Sequence, residues 1–514
     1  MNHRPARALA AAALLALPFA AVAERMHRYD VVIASDLGEI DVHACFDDRA
    51  PARLVSTAPQ AARFLRNPHI TAAPARPLDY DGNGIDLPEE VAGATPPPCV
   101  DYAVDLAAAV RAELGRFAQR WQRDLTTTPA LWLWRPRPAA GGNDRKDAGT
   151  GAGDQLEPDD SVAGDIEVTF RLPKGVAVSA PWQLLSQSES EVVYRVGHTP
   201  EDWPGIVAFG RFRVDDVVVP GATLRVAIID GDPPADARIA NAWVEHAARA
   251  VATLYGEFPL ASPQILLFPR GHSDVPVPWG QVVRGGGAAA QLYFDQYRPL
   301  AELDADWTAT HELSHMLLPD LAAGDTWLSE GFASYYQNVL RARAGMLTQQ
   351  QAWKELAGGF ERGRRDTREG ETLAETTRNM RSERAFMRVY WSGAAFVLLA
   401  DLRLRAQSGG RQSLDTALAE LKRCCLPMDR YWTGDELLRR LDAITGTTLF
   451  TELAAGIVDS KDFPDVSDAF ADLGLGIEYG ALRFDDDPAH VALRDAIMTA
   501  GTAPGRDAAI ATPR

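Results

Sequence analysis

His311-Glu312-Leu313-Ser314-His315 and, fifteen residues further on, Glu330 within Trp327-Leu328-Ser329-Glu330-Gly331-Phe332 set the reading of the whole chain. Two histidines at i and i+4 stand one above the other on a single helix face, close enough to share one metal ion. Neutral imidazoles suit zinc, and Glu312, three residues before His315, flanks the same face. A carboxylate there is placed to take a proton from a zinc-bound water, whose pKa zinc brings to about 7. Three protein ligands with an open fourth position define a catalytic site; a structural site is closed and usually built on cysteines. The competing reading is an ordinary amphipathic helix that happens to carry two histidines. With ten histidines in 514 residues that coincidence is rare, and the Glu330 segment makes it rarer.

At these residues the sequence resembles a known group. HELSH followed by Trp327-Leu328-Ser329-Glu330-Gly331-Phe332-Ala333-Ser334-Tyr335-Tyr336 is similar to the gluzincin metallopeptidases, whose third zinc ligand is a glutamate on the next helix. The resemblance implies zinc ligands His311, His315 and Glu330, with Glu312 as general base. Val389-Tyr390-Trp391-Ser392-Gly393-Ala394 resembles their Tyr-x-x-Gly-Ala segment, in which a tyrosine hydroxyl stabilises the tetrahedral oxyanion. On the residue alone Tyr390 reads as a core aromatic; the surrounding match turns the reading to catalysis. Within the gluzincins, the stretches 390–405, 413–425 and 450–460 look most like the glycyl-aminopeptidase family, with the aminopeptidase N family next. The likeness spans roughly residues 160–475 and is specific only near the zinc motif. Two departures stand out: the gap from His315 to Glu330 is shorter than in aminopeptidase N relatives, and Ser392 replaces their usual lysine. Typical glycyl-aminopeptidase relatives also append a PDZ-like domain, for which the residues beyond Lys461 leave no room.

The chain opens with Arg4 and Arg7, an alanine-rich apolar run over 8–21, and Ala21-Val22-Ala23 before Glu24. This is the pattern of a secretory leader, 1–23, and the run is too short for a membrane span of about 20 residues. No later stretch reaches that length, so the mature chain is expected to be exported, periplasmic or secreted. Composition is that of a globular chain, 46% hydrophobic and 24% charged. The net charge of −18 repels phosphate backbones and argues against a nucleic-acid partner. Of four cysteines, Cys45 and Cys99 suit a disulfide in an oxidising compartment, the alternative being two buried thiols. Cys424 and Cys425 are adjacent on an expected helix and read as two unpaired thiols.

An α+β fold is expected: a β-rich N-terminal region over 24–230, interrupted by a Gly/Ala/Asp-rich flexible loop at 139–160; a thermolysin-like catalytic domain over 231–345; a helical subdomain over 346–462; and a tail over 463–514. Short alternating runs, 130–134 among them, predict strands in the first region. Asp79, Asp81, Asn83 and Glu90 fit the calcium-loop pattern D-x-D-x-N-G-x5-E, although Pro88 argues against the exiting helix of an EF-hand. The other reading is an Asx-rich turn that binds nothing. The metal helix is expected from Trp307, capped by Asp306, to Pro319. Gly285-Gly286-Gly287 reads either as bare backbone at a cleft edge, where an extended peptide adds as a strand, or as a hairpin turn. The cleft-edge reading is favoured because relatives carry a glycine-containing substrate strand just upstream of the zinc helix. Relatives that remove N-terminal residues hold the substrate's ammonium group with an acidic side chain. None occurs between Val282 and Phe294, and Asp295 is the nearest. Beyond the leader, the other histidines, His27, His43, His69, His198, His246, His272 and His490, lack ligand spacing. The reading that results is a zinc peptidase acting on peptide or protein substrates, with an endopeptidase or an inactive peptide-binding scaffold as alternatives.

Overall fold

The computed structural model describes residues 26–500 apart from 48–49, 59, 73, 83, 113–116, 138–164, 198–204, 285 and 427–429. The leader, the loop 139–160, Asn83, His198 and Gly285 therefore lie outside the described residues.

Along Met26–Ile33 apolar residues alternate, burying Tyr29, Val31 and Ile33 and leaving Arg28 and Val32 exposed. The same period of two runs through Glu39–Cys45, Val100–Asp105, Asp165–Arg171 and Glu191–Val196. With Gln183–Gln187, Leu65–Ile70 and Arg76–Pro77 these strands form one eight-stranded sheet. Two four-stranded sheets share its core, which centres on Trp132, Phe170, Trp182, Tyr194 and Phe209. The expected strand at 130–134 is instead a 3-10 turn, Pro129–Leu131, followed by irregular chain. Leu131, Trp132, Leu133 and Trp134 are all at most 2% exposed, and a run buried on every side does not alternate.

A second sheet has the order Val214–Val219, Ala222–Ile228, Gln264–Pro269, Ala288–Phe294, Trp279–Arg284. Its inner pairings are parallel and its two edge pairings antiparallel. The strands at 214–228, expected in the N-terminal region, thus share a sheet with Gln264–Pro269, Ala288–Phe294 and Trp279–Arg284. Helix Ala237–Ala252 carries the crossover between two parallel strands and buries Ala240, Trp243, Val244, Ala247 and Val251 on one face. The helices Thr326–Arg343, Gln349–Arg365, Leu373–Glu383, Phe386–Ser408, Leu414–Cys425, Gly434–Thr445 and Leu449–Val458 extend the same core. Residues 463–498 are not a loose tail. Helix Pro488–Met498 buries Ile497 and Met498, and the Arg343 guanidinium donates to the Ile497 carbonyl at 2.7 Å. Among the described residues no helix is long and apolar enough to cross a membrane.

What sets the site's geometry is the crossing of Thr326–Arg343 and Phe386–Ser408. At their closest approach Gly331 faces Gly393. A Cβ on Gly393 would lie 1.9 Å from the Trp327 carbonyl oxygen, and one on Gly331 2.4 Å from the Gly393 backbone. Neither helix can carry a side chain there without being pushed apart. Gly393→Ala should therefore cost about 3 kcal/mol in urea-melt stability. An unchanged melt would mean that the two helices are free to separate.

Candidate active site

The metal helix Thr308–Ser314 begins where the sequence places it. The Asp306 carboxylate accepts from the Thr308 backbone N–H at 2.8 Å, and the chain turns extended at Leu318 ahead of Pro319. His315 is the first residue of a 3-10 turn, His315–Leu317, that tightens the helix end. Glu330 comes from the first half of Thr326–Arg343. The structure brings three donors together: His311 Nε2 lies 3.1 Å and His315 Nε2 3.6 Å from Glu330 Oε2. One donor atom from each residue lies within 4.8 Å of the other two, the span a single ion would bridge.

The chemistry of these donors fits zinc. His311 Nδ1 sits 2.7 Å from the Gln337 amide oxygen, which can only accept. Nδ1 therefore carries the proton, and Nε2 presents its lone pair to the centre. His315 Nδ1 is held by Ser329 Oγ at 3.1 Å. The sequence reading missed both partners. Gln337 lies two helical turns beyond Glu330, so a buried glutamine at i+7 from a ligand was the available signal. Burial raises the affinity of the Glu330 carboxyl for a proton, and the His315 and His311 imidazoles, in their protonated form, outweigh it and hold the group far below the usual carboxylate range.

Glu312 is 8% exposed. Burial pushes its carboxyl up, against the His311 and His315 imidazoles, while Glu330 adds to the rise and the Val282 N–H lowers it. Tyr390 stacks on the His311 ring at 6.0 Å and 9°, and its hydroxyl lies on the Glu330 side of that ring. Burial keeps that hydroxyl protonated well above its ordinary range. The edge strand Trp279–Arg284 lies against the metal helix. A Cβ on Gly280 would meet the Glu312 side chain at 2.6 Å, so this glycine is what lets strand and base approach. Arg284, at the strand's end, donates to the His315 and Leu318 carbonyls at 3.1 Å each.

Several expectations are corrected. Gly286 and Gly287 do not line the cleft; they press on the N-terminal sheets. Gly286 has φ +84°, with a Cβ position 2.6 Å from Trp182, and a Cβ on Gly287 would fall 1.7 Å from the Pro181 carbonyl oxygen. The glycine at the cleft is Gly280. Asp295 is 1% exposed and already bonded to the Ser273 and Tyr297 N–H groups and to Arg298, so it is committed to a turn. The calcium pattern folds as a hairpin of Tyr80–Asp81 and Gly84–Asp86. There Asp81 pairs with Arg53, and Glu90 pairs with Arg76 at 2.7 Å, so these carboxylates are turned to arginines instead of a shared ion. Asp79 joins no metal-sized group among the described residues. Cys45 and Cys99 form a disulfide, and so do Cys424 and Cys425, where unpaired thiols were expected; neighbouring Cα atoms 3.7 Å apart accommodate the bridge.

A family model described as M61 glycyl aminopeptidase matches residues 320–395, the stretch holding Glu330 and Tyr390. No curated protein sequence matches the chain. Among solved structures, the chain is similar to an aminopeptidase N family protein from Idiomarina loihiensis, at 15% identity over 88% of this chain and 79% of that one, TM-score 0.62. It is also similar to an M1 zinc metallopeptidase from Deinococcus radiodurans, at 15% identity over 86% and 95%, TM-score 0.51. A mutant M1 zinc metallopeptidase from Deinococcus radiodurans, bound to a Tyr-Ser-Ala substrate, aligns at 15% identity over the same shares with TM-score 0.50. The family match and the shared fold support the same class as the motif, a zinc metallopeptidase of the gluzincin type.

Gln337→Leu removes the group that fixes the His311 tautomer and leaves the three ligands in place. Zinc affinity, read by chelator competition, should fall ten- to a hundredfold. Unaltered affinity would show that the imidazole needs no such partner.

Proposed function

We propose that the chain is an exported zinc aminopeptidase in which His311, His315 and Glu330 hold the metal, Glu312 is the general base and Tyr390 the oxyanion donor. The observation that carries the proposal is the convergence of the two Nε2 atoms and a Glu330 oxygen, with Glu312 and the Tyr390 hydroxyl beside them. Zinc held there would supply Lewis-acid polarisation of the scissile carbonyl and acidify the attacking water. Glu312 takes the water's proton and passes it to the leaving amine. Its burial strengthens its hold on that proton between the two transfers. The Tyr390 hydroxyl donates to the developing oxyanion, an interaction worth about 3 kcal/mol in comparable sites. An extended peptide is proposed to add to the free edge of Trp279–Arg284, where Gly280 leaves room beside the base.

Glu312→Gln should retain zinc while losing nearly all hydrolysis, since only the base is removed. Full activity in that variant would refute the mechanism, and wild type without zinc would refute the site. Tyr390→Phe should lower kcat about a hundredfold with KM little changed. An unchanged kcat would return Tyr390 to the role of a packing aromatic.

Aminopeptidase activity is supported by the M61 match and by the solved neighbours. One observation favours an endopeptidase instead: the edge strand carries no carboxylate, and Asp295 is committed elsewhere. A substrate ammonium buried without a partner is costly, so a missing acceptor shows directly in specificity. Matched peptides with free and acetylated N-termini, read by mass spectrometry, separate the two readings. Release of N-terminal residues from free peptides only is expected; equal cleavage of both at internal bonds would establish the endopeptidase. Export rests on the leader pattern at 1–23. N-terminal sequencing of protein recovered outside the cytoplasm should begin at Glu24, and full-length chain retained inside would contradict it.

A further inference from the structure

On the outer face of the eight-stranded sheet, far along the chain from the zinc motif, a second group of metal-type donors meets. Strands Glu39–Cys45 and Val100–Asp105 pair antiparallel, with His43 opposite Asp101 and Ala44 opposite Val100. Cys45 and Cys99 therefore fall beside each other one step further on, and they are joined. His43 and Cys45 share a strand face because they are two residues apart. Asp101 accepts from His43 Nδ1 at 2.5 Å and also from the Thr71 hydroxyl, with His69 Nε2 3.7 Å away on the neighbouring strand. With Nδ1 turned to Asp101, His43 faces Cys45 Sγ with Nε2, 3.2 Å distant. Donor atoms of His43, Cys45 and Cys99 all lie within 4.8 Å of one another.

A disulfide that merely staples two strands needs no imidazole aimed at its sulfur. An imidazole whose far nitrogen is fixed by a carboxylate is the arrangement that orients a metal ligand. The histidine–sulfur spacing is already close to the roughly 3.5 Å that separates ligands of one tetrahedral zinc with Zn–S of about 2.3 Å and Zn–N of about 2.0 Å. Only the two sulfurs have to separate.

We propose that reduction of Cys45–Cys99 converts this cluster into a second zinc site, with Cys45, Cys99 and His43 as ligands and Asp101 as the carboxylate that positions His43. A small-molecule or protein dithiol supplies the two electrons. Its sulfurs close into a disulfide, the Cys45–Cys99 bond breaks, and its two protons pass to the two cysteines. Zinc then displaces those two protons as it binds both thiolates and the Nε2 lone pair, with water completing four-coordination. A disulfide oxidant reverses the sequence: it takes the two electrons and is reduced to a dithiol, the Cys45–Cys99 bond re-forms, and the ion is released. The cluster is thus a redox-gated metal site in the unit that carries no part of the catalytic centre, and it does not depend on the proposed peptidase activity.

The test uses the full chain with Cys424→Ser and Cys425→Ser, to remove the other reducible pair, and His311→Ala with His315→Ala, to empty the first site. Oxidised and phosphine-reduced samples are equilibrated with zinc and measured by elemental analysis, with circular dichroism recorded on both. Expected is no zinc in the oxidised chain and one per chain in the reduced, with at least a tenfold loss of affinity on adding His43→Ala. Cobalt in place of zinc should give a thiolate-to-metal charge-transfer band in the reduced chain alone. Equal metal in both samples overturns the proposal, as does an increase that survives Cys45→Ser with Cys99→Ser. A chain that unfolds on reduction overturns it too, because the site requires the strand register.

Discussion

Two helices that touch backbone to backbone hold the centre of this molecule. Gly331 directly follows Glu330, and Gly393 lies three residues after Tyr390, so the contact between them sits less than one turn from each functional group. The close approach brings the Tyr390 hydroxyl to Glu330 and its ring onto His311. Any larger residue at either glycine would lengthen the distance between a metal ligand and the group meant to stabilise charge beside it. The glycines in the two motif segments are therefore part of the site's geometry, although neither has a side chain to offer.

Around that crossing the site is buried, and burial decides its electrostatics. Two imidazoles and two carboxylates are gathered where burial opposes charge, yet the groups respond in opposite directions. Glu330, contacted by both imidazoles, is held ionised when they carry charge; Glu312, against the edge strand, is pushed by burial towards its protonated form. One carboxylate is suited to remain a ligand and the other to exchange a proton, which is a division of labour set by position rather than residue type. Gln337 completes it by turning the His311 Nε2 lone pair inward, and Ser329 holds the His315 ring at Nδ1.

Much of this was legible in the sequence because it is local. The i, i+4 histidines, the Asp306 cap, the stop before Pro319 and the apolar face of 237–252 are all consequences of helical period or of a single side chain's reach. What escaped was set by distant partners. The run Gly285-Gly286-Gly287 has the composition of a cleft-edge strand, but Gly286 and Gly287 pack against Trp182 and Pro181, about a hundred residues earlier. The carboxylates near 79–90 match a calcium spacing, and arginines at 53 and 76 claim two of them. The Trp132 and Trp134 segment imitates a strand because alternation between large and larger apolar residues looks like alternation between buried and exposed. His43 had no ligand spacing along the chain; its neighbours Cys99 and Asp101 arrive across the sheet.

The contact of Gly287 with Pro181 has a mechanical meaning. The hairpin formed by Trp279–Arg284 and Ala288–Phe294 is pinned at its turn by the N-terminal unit and, through Arg284, to the end of the metal helix. A side chain at Gly287 would strike the Pro181 carbonyl, so the N-terminal unit limits where this hairpin, whose edge strand faces Glu312, can sit.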